Sequence, residues 1–167
     1  LVAGQKIPGM AMAIVQGGRI VSARGYGITD VGQPETVDAH TVFRLASLSK
    51  SFASTTTAML VADGKLRWDS RIVDYYPTLQ FSEPRAALEL DVAEVLSHRV
   101  GIDSNAFDRD LEGYAEYPSL VQKIAYTPMK CAPGECYAYQ NIAYSLIGDM
   151  VQGASGLPFD QVVARRL

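Results

Sequence analysis

Two cysteines, two histidines and a single tryptophan in 167 residues leave few side chains for several common chemistries. Cys131 and Cys136 are too few for a disulfide framework, and no histidine lies near them to complete a zinc set, so neither a metal nor a cofactor is expected. The 15 basic residues are scattered among 18 acidic ones, giving a net charge of −3 and no basic stripe. Nucleic acid and anionic membrane surfaces are therefore poor partners. No apolar run approaches the roughly 20 residues of a membrane span. No charged-then-apolar leader precedes Leu1 and no initiator Met is present, which fits a processed or trimmed N-terminus. Internal repeats, low-complexity tracts and linkers are also lacking.

What is present describes an ordinary globular chain, 48% hydrophobic and 20% charged, long enough to bury a substantial core. Met10 to Val15 and Arg19 to Arg24 read as the arms of a β-hairpin, because Gly17-Gly18 can take the positive φ angles of a two-residue turn. The Asp-, Gly-, Pro- and Thr-rich stretch from Thr29 to Ala39 reads as a loop leading to a short strand, Thr41 to Leu45. From Ser47 to Ala62 apolar positions at Leu48, Phe52, Ala53, Thr56, Met59 and Leu60 predict a buried helix stopped by Gly64. Trp68 is expected in the core, and a short helix from Ile72 ends at Pro77. Asp91 should cap a helix running to Ser97-His98 and broken by Gly101, with His98 donating to a nearby carbonyl rather than serving as a general base. Asp103 to Pro118 reads as loop, followed by a helix from Leu120 to Tyr126 capped by Ser119. Two helices close the pattern, one from Ile142 to near Gly153 and one started by Pro158. Ala132-Pro133-Gly134-Glu135 is a turn that could bring Cys131 and Cys136 into disulfide range, the alternative being two free, small apolar residues.

Chemistry converges on Ser47-Leu48-Ser49-Lys50. If a helix begins at Ser47, Lys50 lies nearly one turn above it, so hydroxyl and amine share a face within hydrogen-bond reach. The helix start would also aim its dipole at an oxyanion forming on Ser47. The same tetrad could be only a capped, solvated helix start. A second signal lies 92 residues on from Ser47, in Tyr139-Gln140-Asn141, whose plain reading would be an aromatic packing residue and an Asn helix cap.

Ser-x-x-Lys followed by Tyr-x-Asn resembles the serine β-lactamase and penicillin-binding family, in particular the branch of class C β-lactamases, D-Ala-D-Ala carboxypeptidases and related esterases. Phe43-Arg44-Leu45-Ala46, Asp63-Gly64-Lys65-Leu66, Leu96-Ser97-His98 with Gly101, and Pro133-Gly134-Glu135 are similar to that family's recurring phrases, so the resemblance runs from about Ile7 to Leu167. It implies Ser47 as the acylated nucleophile, Lys50 as the amine that helps remove its proton, Tyr139 as the phenol that shuttles a proton to and from the leaving group, and Asn141 as the residue orienting Lys50 and a substrate amide. Arg99-Val100 stands where relatives often carry Thr-Ser, touching no catalytic role. The family's third motif, Lys or His followed by Thr or Ser and Gly, does not occur after Asn141.

The implied fold is α+β: an N-terminal β-hairpin of an antiparallel sheet plus a mainly helical region, a β-lactamase/transpeptidase-like fold lacking its C-terminal strands. Residues 1–45 are expected to belong to the sheet domain and 46–167 to the helical domain, with the remainder of the same protein as a partner and the 167 residues alone nearly inactive. The implied function is a serine acyl hydrolase acting on β-lactam or D-Ala-D-Ala-like amides, periplasmic or secreted. A carboxylesterase, which could be cytoplasmic, and a non-catalytic penicillin-sensing module are the alternatives.

Overall fold

A computed structural model of the protein describes residues 7–167. The first six residues of the expected sheet domain lie outside the described residues. The chain divides into two compact units, Leu1–Ala46 and Ser47–Leu167.

In the first unit, strands β1 (Gly9–Gln16) and β2 (Arg19–Gly27) pair antiparallel from Gly9 opposite Gly27 to Gln16 opposite Arg19. The turn forms because Gly17 and Gly18 both adopt left-handed backbone, at φ 57° and 72°, the geometry that matches the twist of the two strands. Ile14 faces Ser22 while Val15 faces Ile20, which leaves Val21 as a one-residue bulge in β2. The following loop folds back on the hairpin, with the Val37 N–H donating to the Gly27 carbonyl at 3.0 Å. Gly25 permits this approach, since a Cβ there would sit 2.1 Å from the Val37 carbonyl oxygen. The strand expected at Thr41 to Leu45 does not form; these residues take no regular structure, having no neighbouring ladder among the described residues with which to pair.

The second unit holds seven α-helices among the described residues: α1 (Ser49–Ala62), α2 (Pro84–Glu89), α3 (Val92–Leu96), α4 (Asp108–Glu112), α5 (Tyr117–Ile124), α6 (Asn141–Ser155) and α7 (Phe159–Arg166). Its centre is α6, where Ile142, Leu146, Ile147, Met150 and Val151 are all at most 1% exposed. Helices α1, α3, α5 and α7 pack around it. This helix continues two residues past the expected stop, and Gly153 serves instead as a close-approach site, where a Cβ would meet the Tyr75 ring at 2.7 Å. The actual stop is Gly156, left-handed at φ 73°.

Several expectations shift for local reasons. Helix α1 buries Ala53, Thr56, Thr57 and Leu60, whereas Leu48 and Phe52 are exposed; the apolar spacing assigned too wide a face. Trp68 is 45% exposed, in the turn after α1 rather than in the core. Asp91 caps α3 as expected, through a reciprocal capping box with Glu94, although that helix ends at Leu96. Helix α5 begins at Tyr117, three residues before the expected start, since Pro118 in its first turn sacrifices no hydrogen bond. The same asymmetry starts α2 at Pro84, a helix the periodicity did not reveal, and the loop expected from Asp103 contains α4. Cys131 and Cys136 form a disulfide with a Cα–Cα distance of 6.2 Å. No helix among the described residues is long and apolar enough to cross a membrane.

Candidate active site

Ser47 lies in a single 3-10 turn, Ala46–Leu48, that runs directly into α1, so α1 proper begins two residues later than the tetrad implied. Ala46 before it is left-handed at φ 48°, a costly conformation for a residue with a Cβ and one that recurs where a functional side chain must be presented. One turn on, Lys50 Nζ donates to Ser47 Oγ at 3.3 Å.

The second motif arrives from the stretch between the disulfide and α6. Tyr139 lies outside regular structure, Gln140 is extended backbone, and Asn141 is the first residue of α6 rather than its cap. The Tyr139 hydroxyl lies 2.6 Å from Ser47 Oγ, and Lys50 Nζ donates to Asn141 Oδ1 at 2.7 Å. Ser47, Lys50, Tyr139 and Asn141 thus form one continuous hydrogen-bonded chain across 91 to 92 residues of sequence.

The surroundings tune this chain. Lys50 Nζ sits 4.7 Å from the centre of the Tyr139 ring and 5.3 Å from that of Tyr144, whose hydroxyl donates to the Lys50 carbonyl at 2.9 Å. The Lys50 ammonium first, and the Ser47 hydroxyl second, hold the Tyr139 phenol below its ordinary value of 10.0. That lowers the cost of forming the phenolate, the form able to accept a proton. Ser47 is exposed, and Lys50, Tyr139 and Asn141 are half-buried.

His98 supports the site in a role opposite to the one expected. It is an acceptor, not a donor: the Gln140 N–H donates to His98 Nδ1 at 3.1 Å. The imidazole is 8% exposed and packs 4.4 Å from the Tyr139 ring and 5.0 Å from Tyr144, centroid to centroid. Burial first, then the Lys50 charge, push its pKa below 6.5, so neutral imidazole is preferred. Asp108, absent from the sequence-based candidates, joins the chain as well, accepting from Asn141 Nδ2 at 2.9 Å. No spacing signal marks it, since an Asp 33 residues before Asn141, at the start of the short helix α4, acquires meaning only through the fold.

The arrangement couples a hydroxyl to a phenol and an ammonium, which is the equipment of nucleophilic acyl transfer. Comparison with known proteins agrees in family. A family model described as Beta-lactamase matches residues 1–167. Unguisins hydrolase ungD of Aspergillus violaceofuscus is 27% identical over 168 residues, covering 90% of this chain and 28% of that protein. Penicillin-binding protein 4 of Amycolatopsis lactamdurans is 26% identical, covering 96% of this chain and 42% of that protein. The octameric penicillin-binding protein homologue from Pyrococcus abyssi superposes with a TM-score of 0.81 at 24% identity, covering 99% of this chain and 39% of that one, and so shares the fold. The chain spans less than half the length of these relatives. On the match of residues 1–167 to the family model, this chain belongs to the Beta-lactamase family.

Proposed function

We propose that the protein is a serine acyl hydrolase working through an acyl-Ser47 intermediate on β-lactam or D-Ala-D-Ala-like amides. The single observation that carries this reading is the position of Ser47 Oγ, 2.6 Å from the Tyr139 hydroxyl and 3.3 Å from Lys50 Nζ. As Ser47 Oγ attacks the substrate carbonyl carbon, its proton passes to Tyr139 Oη, helped by the Lys50 ammonium that stabilises the phenolate. The carbonyl π bond opens to an oxyanion near the start of the 14-residue α1, whose dipole favours negative charge. When the carbonyl re-forms, the C–N bond breaks and the leaving nitrogen takes the proton from Tyr139. Water then attacks the acyl-Ser47 ester by the same relay, releasing the acid and restoring the Ser47 hydroxyl. Asn141 holds Lys50 and is available to a substrate amide.

The name of penicillin-binding protein 4 among the relatives supports the β-lactam reading. The Cys131–Cys136 disulfide supports an oxidising compartment, hence a periplasmic or secreted location. The strand carrying the family's third motif would complete the cleft, and the 167 residues alone are expected to leave a chromogenic cephalosporin unhydrolysed; turnover at ordinary enzyme rates would refute that.

Intact-mass analysis of the full-length protein after incubation with a labelled penicillin, with Ser47→Ala alongside, tests the mechanism. A short-lived adduct lost in the alanine variant is the expected result. A lasting adduct would indicate a penicillin sensor, and no adduct with p-nitrophenyl ester turnover an esterase; absence of both sinks the acyl-enzyme reading.

A further inference from the structure

Asn141 can meet Lys50 in two ways, because a side-chain amide has an oxygen that accepts and a nitrogen that donates, of nearly equal size. Only the orientation with Oδ1 toward Lys50 is useful, since an ammonium has donors and no acceptor. Something must set that orientation, and it lies on the other side of the amide. Asn141 Nδ2 donates to Asp108 Oδ2 at 2.9 Å while Asn141 Oδ1 accepts from Lys50 at 2.7 Å. Turning the amide over would place oxygen against carboxylate and NH2 against ammonium, losing two charge-assisted hydrogen bonds at once.

Asp108 is itself held for this contact. Its second oxygen, Oδ1, is buried without a hydrogen-bond partner among the described residues, so losing Asn141 would strip the carboxylate of its side-chain donor. Phe107, just before it, is left-handed at φ 63°, which turns the chain so that Asp108 opens α4. The loop leading there is tied to the Tyr139 motif: the Asn105 N–H donates to the Tyr139 carbonyl at 2.8 Å, and Gln140 Nε2 donates to the Asp103 carbonyl.

We propose that Asp108 is a positioning residue that locks the Asn141 amide with Oδ1 on Lys50, and so sets the Lys50 ammonium between Ser47 and Tyr139. This rests on the acyl-Ser47 reading for its consequence in catalysis, but the lock itself is a property of the unliganded protein.

The test is two-part, on the full-length protein. Its Asn side-chain amides are labelled with 15N, and the Asn141 pair is assigned by its loss in Asn141→Ala. The Asn141 amide protons should be displaced downfield by the carboxylate and collapse toward ordinary positions in Asp108→Ala. The isosteric Asp108→Asn, which keeps an acceptor but loses the charge, should lie between and keeps the test alive if the alanine variant does not fold. Acylation by a labelled penicillin should fall about tenfold in Asp108→Ala and about threefold in Asp108→Asn, with no further loss when Asp108→Ala is added to Asn141→Ala. Unmoved Asn141 resonances in both variants, or losses that multiply in the double variant, would overturn the proposal. If the unaltered protein forms no adduct, the acyl-enzyme reading fails while the amide spectrum still decides the lock.

Discussion

The Tyr139 phenol is the residue on which the proposed chemistry turns, because serine is a weak nucleophile until something takes its proton. Its acidity is set from outside, chiefly by Lys50. Replacing Lys50 with Met removes a positive charge from beside the phenol, so the Tyr139 midpoint should rise toward 10.0. Ultraviolet difference titration against Tyr139→Phe isolates this group from the other tyrosines, and an unmoved midpoint would show that Lys50 does not tune it. Tyr139→Phe itself should slow acylation by roughly 10²–10⁴-fold, the range for losing a positioned proton carrier, as read from the rate of adduct formation.

At the scale of elements, the site depends on how the start of α6 is pinned against the turn after α3. His98 does this with one unprotonated nitrogen, facing the Gln140 N–H, the Tyr139 and Tyr144 rings and the Lys50 charge. Its folded-state pKa is depressed, so the unfolded chain takes up the proton first as pH falls. The stability it contributes is present above pH 6.5 and is lost as pH drops below that through the lower folded value. His98→Asn, whose Oδ1 can replace the Nδ1 acceptor without titrating, should flatten this component of a stability-versus-pH curve measured by urea unfolding. An unchanged difference between the two proteins across that window would reject it. The disulfide ties a second connection: closing its short loop is worth about 2 kcal/mol by chain entropy. Cys131→Ser with Cys136→Ser should therefore lower Tm by about 4–8 °C in a thermal melt of the full-length protein.

For the molecule as a whole, the helical unit is a shell of helices around α6, and stability concentrates there. Leu146 is fully buried, and Leu146→Ala should cost about 2–5 kcal/mol, lost transfer energy and cavity together. A urea midpoint unchanged within error would mean that the neighbours of α6 collapse into the space. The hairpin unit is organised differently: antiparallel backbone pairing and the Gly17-Gly18 turn define it.

Sequence alone determined the features that depend on neighbours in the chain. The glycine turn of the hairpin, the Asp91 cap and the one-turn spacing of Ser47 and Lys50 follow from local backbone chemistry, and the family phrases follow from order along the chain. Tertiary structure decided what depends on partners far away in sequence. Whether Trp68 or Leu48 is buried is set by which helices arrive above them, not by their own hydrophobicity. His98 became an acceptor because Gln140 brings an N–H to it, and Asp108 entered the site because a left-handed Phe107 turns it toward Asn141. Motif spacing could name a nucleophile and its proton carrier, but the direction of a hydrogen bond and the orientation of an amide are fixed only by the donors and acceptors that folding places on either side.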